Sequence, residues 1–204
     1  MKYVKWTLIV LFWTLVAGFL HYTLPQHDVV RITDTYETRV NPGENRWFWT
    51  QADTGDDPLA ARDVFFIQTR RANDSIMVYR NEDTGWGWPP YFKFDTSNLQ
   101  AEAADLKSTS DNPKWAVIRH YGWRNEFISI YPNAVSIRPV DGPDVTIIPW
   151  MNIILLSALV ALFWALRVRW RRFWSSRVDP VLESAGDRLD EGGDRIKGLF
   201  NRSK

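Results

Sequence analysis

The sequence predicts an α+β chain: two membrane-crossing helices flanking a small, mainly antiparallel β domain outside the cytoplasm, with one short helix in it. Two observations carry this. Two long apolar runs, Trp6–Leu24 and Pro149–Leu166, contain no Asp, Glu, Lys or Arg. Between them, short β-branched and aromatic runs alternate with turn residues, the signature of strands and hairpins. The expected divisions are 1–24 (first span), 25–148 (exported β domain), 149–168 (second span) and 169–204 (basic segment and tail).

The first run, "WTLIVLFWTLVAGFLHYTL", is 19 residues long. At about 1.5 Å per residue it matches the roughly 30 Å of a hydrocarbon core. "PWMNIILLSALVALFWAL" is of similar length. Trp6 and Trp150 stand at segment ends, where interfacial aromatics concentrate. Lys2 and Lys5 precede the first span, and Arg167, Arg169, Arg171, Arg172 and Arg177 follow the second. Cytoplasmic flanks collect Lys and Arg, so both termini are expected inside and residues 25–148 outside. That exported segment holds 13 Lys and Arg against 18 Asp and Glu, a net of −5. The alternative for the first span is a cleaved signal peptide, with "VAG" at Val16–Gly18 as a weak processing site. Export of 25–148 is expected in either case.

Small residues recur at four-residue spacing in both spans: Thr14 and Gly18 in the first, Ser157, Ala161 and Ala165 in the second. That interval lets helix backbones approach closely in lipid, so these five positions are the expected packing face. Beyond the second span, "RVRWRRFWSSRV" places Arg167–Arg177 where anionic lipid head groups lie. Each basic residue near such a surface contributes about 1 kcal/mol. The tail repeats apolar residues at helical spacing (Val178, Leu182, Ala185, Leu189), breaks at Gly192 and Gly193, and resumes at Ile196, Leu199 and Phe200. It reads equally as an amphipathic helix or a disordered tail.

Expected strands are Asp28–Thr33, Asp63–Thr69, Ser75–Tyr79, Tyr91–Asp95, Trp115–Tyr121, Glu126–Tyr131 and Ala134–Val140. The second and third flank "RRAND" as a hairpin, and the last three form a meander. A helix is expected from Ser97, with Gln100 three residues on as a capping box. Leu99, Ala103 and Leu106 would be its apolar face.

The stretch "RNEDTGWGWPPYFKFD", Arg80–Asp95, is the most distinctive in the chain. Strict alternation through Tyr91–Asp95 puts Phe92 and Phe94 on one face, expected to be the core, with Trp86 and Trp88 covering its edge. A membrane-surface anchor is disfavoured, since some 60 residues separate this stretch from either span. If it is instead a ligand platform, Trp86, Trp88 and Tyr91 are the candidate binding residues.

Composition excludes several chemistries. There is no cysteine, hence no disulfide or thiolate. A net charge of +1 gives no field to recruit nucleic acid. The histidines, His21, His27 and His120, are not spaced as metal ligands. "DTGDD" at Asp53–Asp57 lacks the spaced ligands of a calcium loop and reads as a solvated turn. No phosphate-binding, nucleophile-elbow or zinc-protease motif occurs. Neither a cofactor nor a catalytic residue is assigned.

Three blocks, "HYTLPQHDVVRI", "NEDTGWGWPPYFKFD" with "NLQA", and "IRHYGWRNEFISIYPNAVSI", resemble an uncharacterised family of small bacterial membrane proteins, DUF1523. The resemblance runs through much of residues 21–137 and stops short of the basic tail. It implies a bacterial source, an inner-membrane setting and hence a periplasmic β domain; it implies no activity, cofactor or catalytic residue. The leading functional expectation is a non-enzymatic envelope protein, embedded in the lipid bilayer, whose periplasmic domain binds another envelope or membrane protein. A glycan or small-molecule module built on Trp86–Phe94 is the alternative. An enzyme with an unrecognised acid pair is the third.

Overall fold

A computed structural model describes residues 2–41, 48–49 and 61–180. The acidic turn at Asp53–Asp57 and the tail beyond Pro180 lie outside them. The chain divides into two units, 1–149 and 150–204.

The first unit opens with α1 (Lys2–Thr23). It continues through β1 (Gln26–Val40), β2 (Arg62–Arg71), β3 (Ile76–Asn81), α2 (Thr96–Asp105), β4 (Trp115–Tyr121) and β5 (Asn133–Val140). The second unit is α3 (Trp150–Phe173), which runs into a π-helical turn at Trp174–Val178. Both α1 and α3 are apolar, are long enough to cross a bilayer, and have no buried residue.

The strands close into a barrel in the order β1-β2-β3-β5-β4. A bulge between Ile32 and Asp34 bends β1. Its first half pairs antiparallel with β4, Gln26↔His120 through Arg31↔Trp115, and from Val30 onward it pairs with β2. Such bulges let one strand turn a barrel corner. β2 and β3 form the expected hairpin. The barrel closes through the parallel pair Arg80↔Asn133, between β3 and β5. This order, with a helix between β3 and β4, is the connectivity of the OB-fold, a partly open Greek-key barrel.

α2 packs Leu99 and Ala103 into the core, with Leu106 against its edge, as the helical spacing predicts. The cap differs from expectation. Asp95, not Ser97, is the N-cap, accepting from Asn98 N at 3.0 Å. Gln100 is drawn away from capping and accepts from Asn81 Nδ2 at 2.9 Å. The core joins Val30, Ile32, Ile67, Tyr79, Ile118 and Ala134 to those α2 residues. A second cluster holds Trp49, Val64 and Phe66 beside Tyr36 and Tyr131.

Two expected strands are absent. Residues 91–95 form no ladder, because Phe92 has φ of 52° and breaks the pleat. Residues 126–131 form a tight turn, closed by reciprocal bonds between Asn125 and Ile130 at 3.1 and 2.9 Å. β4 and β5 therefore pair directly, and the meander becomes the return limb of a barrel.

Candidate functional site

α1 passes into the barrel without a linker. Its last residues are His21, Tyr22 and Thr23, Pro25 is buried, and β1 starts at Gln26. Gly122 N donates to Tyr22 O at 2.9 Å, and Tyr91 Oη donates to Thr23 O at 2.7 Å. Trp123 Nε1 donates to His21 Nδ1 at 2.9 Å. Helix C-termini leave carbonyls unsatisfied, and here two loops of the barrel supply the donors. Trp88 stacks on Phe19 with centroids 5.7 Å apart. Edge contacts to the Tyr22 ring come from Phe48, Tyr121 and Trp123, with Trp123 nearest at 5.3 Å. Gly122 has φ of 92°, and a Cβ there would meet Pro132 Cα at 3.5 Å and the Tyr22 ring at 3.7 Å. Those are ordinary contact distances, so it is the left-handed backbone at Gly122, not a shortage of space, that calls for glycine.

The loop between β3 and α2 is braced from inside. Thr84 N and Gly85 N donate to Lys93 O at 3.1 and 3.0 Å, and Lys93 N returns a bond to Thr84 Oγ1 at 3.1 Å. The Lys93 side chain is buried, and its Nζ donates to Asn81 Oδ1, to Glu82 O at 3.1 Å and to Ala134 O at 2.9 Å. Burial pushes its pKa down to about 8, against the pull of Asp83 and Glu82.

With Lys93 inward, its neighbours face outward. Phe92 and Phe94 are 53% and 56% exposed, and both pack against Trp86, itself 84% exposed. This reverses the expected placement of the two phenylalanines in the core. The three carbonyl acceptors inside the barrel claim the lysine, and the left-handed residue at Phe92 cancels the period-two count. Trp88 is 66% exposed, whereas Tyr91 is half-buried and stacked on Tyr121 at 4.9 Å. Of the sequence-predicted binding residues, Trp86 and Trp88 are thus each largely exposed, while Tyr91 fastens α1. Thr14 and Gly18 lie on α1, with open space around Gly18, and Ser157, Ala161 and Ala165 lie exposed on α3.

Sequence reasoning missed Phe19, His21, Tyr22, Tyr121 and Trp123. Tyr91 and Thr23 are 68 residues apart in sequence, yet bonded. Separation along the chain therefore gave no guide to distance from the helix. The available signal was the aromatic pair Tyr121 and Trp123 flanking a glycine, which suits a turn against another ring.

Two buried polar groups complete the barrel. Asp28 Oδ2 accepts from Arg71 at 2.8 Å and from Tyr79 Oη at 2.5 Å, with His120 Nε2 at 3.2 Å but off the hydrogen-bond line. Burial alone would raise the Asp28 carboxyl. The His120, Arg71 and Tyr79 groups outweigh it and hold the carboxyl well below the usual carboxylate range. Glu82 pairs with Arg62 at 2.7 Å and with Arg80 at 3.1 Å, and Arg80 also lies over the Trp49 ring. These ion pairs tie strands of the barrel together, while Arg62 Nε, Arg80 Nε and both ring nitrogens of His120 are buried without a hydrogen bond. Among the described residues, no group of three or more His, Asp or Glu side chains converges to hold a metal ion.

A family model described as a protein of unknown function, DUF1523, matches residues 1–174. The chain is also similar to an uncharacterized protein of Haemophilus influenzae, 38% identical over 164 residues, covering 79% of this chain and 90% of that one. No solved structure matches. The family match spans α1, the barrel and α3, and on both comparisons this chain belongs to the DUF1523 family, whose function is unknown.

Proposed function

We propose that this chain is a two-pass protein of a bacterial inner membrane, with both termini cytoplasmic, and that it acts without catalysis. Its periplasmic barrel is held close to the membrane as a docking module for an envelope or membrane protein. The observation that carries this reading is the rigid junction between α1 and the barrel. Backbone and side-chain bonds at Tyr22, Thr23 and His21 leave no free linker. A module fixed in height and orientation suits recognition of a partner that is itself confined to the membrane plane. The apolar, unburied surfaces of α1 and α3 support insertion in lipid, and the Lys and Arg flanks support the orientation. Arg167–Arg177 would then meet anionic head groups on the cytoplasmic side.

Reporter fusions after Asp95 test the orientation: an exported reporter should be active there, and activity of a cytoplasmic reporter overturns it. For the partner, a photo-crosslinking residue replaces Ile76, which is 66% exposed on β3. The same residue is placed in turn at exposed positions of α2. Irradiation of intact cells should yield a discrete protein adduct at one or more of these sites, and a barrel with no adduct at any of them refutes docking.

The second reading, a glycan or small-molecule module, is favoured by the exposure of Trp86 and Trp88. Sugars stack on such faces. It requires saturable glycan binding by the full chain that Trp86→Ala and Trp88→Ala abolish.

A further inference from the structure

The apolar side chains beside the end of α1 form a rim. Trp88 meets the helix at Phe19, and Trp123 meets it at His21 and Tyr22. Around a helix His21 lies about 160° from Phe19 and Tyr22 about 60° from it, so the two tryptophans together contact more than one face of the last turn. Phe19 lies one turn before Thr23, the last helical residue, which is about 6 Å along the axis. In a bilayer crossed by α1, that last turn falls within the interfacial layer, roughly 5–8 Å thick on each side.

We propose that Trp86, Trp88, Phe92, Phe94 and Trp123 sit in the outer lipid–water interface of the bilayer that α1 crosses, seating the barrel directly on the membrane. The inference rests on the two-pass reading above and adds the surface on which the barrel lies. Four features carry it. The rim is continuous with the apolar surface of α1 through the Phe19–Trp88 stack. Its aromatics are exposed, from 42% at Trp123 to 84% at Trp86, a patch that an aqueous domain would normally cover. Tryptophan is the side chain most enriched at this depth, because its ring is apolar and its N–H is a donor. The outward display is also built in: buried Lys93 and the Thr84 bonds fix the loop so that Phe92 and Phe94 must point away from the core.

Charge sets the depth. Thr84–Phe92 carries no charged residue, while exposed Asp83 and Asp95 bracket it. The rim therefore reaches the head-group and acyl boundary and stops there, since a carboxylate is expelled from hydrocarbon. Barrel and helix are then held at several points: Tyr91 and Gly122 grip the helix end, and the aromatics grip the interface around it.

The chain contains no cysteine, so single labelling sites need no background removal. Trp86→Cys, Phe94→Cys, Ser110→Cys and Leu11→Cys are each labelled with a nitroxide in the full chain. The labelled chains are reconstituted in vesicles of phosphatidylethanolamine and phosphatidylglycerol. Ser110 precedes β4, whose length puts Trp115 about 20 Å from Tyr121. Collision with oxygen, which concentrates in lipid, is compared with collision with a water-soluble nickel chelate. Positions 86 and 94 should give an oxygen-to-nickel ratio several-fold above position 110 and below position 11. Ratios at 86 and 94 equal to that at 110 overturn the inference and return the patch to a protein or glycan. In that outcome a high ratio at position 11 leaves the two-pass reading standing. An aqueous ratio at position 11 sinks that reading, and the inference with it.

Discussion

Asp28→Asn tests how the first strand is fastened to the barrel. Asp28 Oδ2 is shared by Tyr79 Oη at 2.5 Å and Arg71 at 2.8 Å. Tyr79 is fully buried, while the Asp28 and Arg71 side chains keep 21% and 32% exposure. A hydrogen bond to a charged group contributes about 1.5–3 kcal/mol, and the buried tyrosine bond belongs in the upper half of that range. The Arg71 pair faces water along one side and adds under about 1 kcal/mol. Asparagine keeps the volume and one acceptor, so the expected loss is about 2–3 kcal/mol, or roughly 10 °C of melting temperature for a domain of this size. The loss depends on pH. The folded carboxyl is held well below its usual range, whereas an unfolded aspartate titrates near 3.9. The stabilisation is therefore complete above the unfolded value and is lost as pH falls below about 4. Urea unfolding of the full chain in mild detergent, followed by near-ultraviolet circular dichroism at pH 7, 5 and 3, measures both effects. Wild type and variant should differ at pH 7 and converge towards pH 3. An unchanged midpoint at pH 7, or a difference that persists undiminished at pH 3, refutes the argument.

Phe92→Ala and Phe94→Ala should each lower the unfolding free energy from urea titration by less than about 1 kcal/mol, because about half of each residue is already in solvent; a buried phenylalanine would lose about 3–5 kcal/mol. For Lys93, the folded chain releases its proton near pH 8, while the unfolded chain holds it to about 10.5. Between those values the barrel gains stability with rising pH, so wild type should gain on Lys93→Met from pH 7 to pH 9.5 in the same titration. Gly122→Ala forces a Cβ into a left-handed backbone, at about 1–2 kcal/mol, and should speed amide exchange at Gly122, whose N–H bonds Tyr22 O.

Much of the fold was legible because it is local. Charge-free runs gave α1 and α3, alternation gave β2 and β3 with their turn, and the spacing of Leu99, Ala103 and Leu106 gave the buried face of α2. What failed was phase and closure. Counting by twos assumes an unbroken pleat, and the positive φ at Phe92 violates it after one step. The run at 126–131 alternates as well as any strand. Asn125 Oδ1 nevertheless accepts from Phe127 N at 3.0 Å, which turns the chain back within four residues. Closure of the barrel depends on Arg80 meeting Asn133, a pairing across 53 positions that no local pattern encodes. The same distance problem hid the junction of α1 with the loops.

The junction also bears on what the end of the barrel is free to bind. In a Greek-key barrel of this connectivity, loops at one end commonly receive a ligand. Here the helix end enters that region. Tyr22 fits among Phe48, Tyr121 and Trp123, and Tyr91 lies flat on Tyr121 with its hydroxyl donated to Thr23 O. A sugar stacking on Tyr91 would have to displace either an aromatic neighbour or the carbonyl of the helix terminus, and each leaves a buried polar or apolar surface uncovered. Trp86 carries no such obligation: among the described residues its ring contacts are with Phe92 and Phe94 of its own loop, and it is 84% exposed. The aromatic stretch thus splits by role. Tyr91 belongs to the machinery that orients the barrel on its helix, and its stability should fall when the hydroxyl is removed. Trp86, Phe92 and Phe94 instead pack on one another with half or more of each residue in solvent, and Trp88 stands between the two roles, stacked on Phe19 yet 66% exposed.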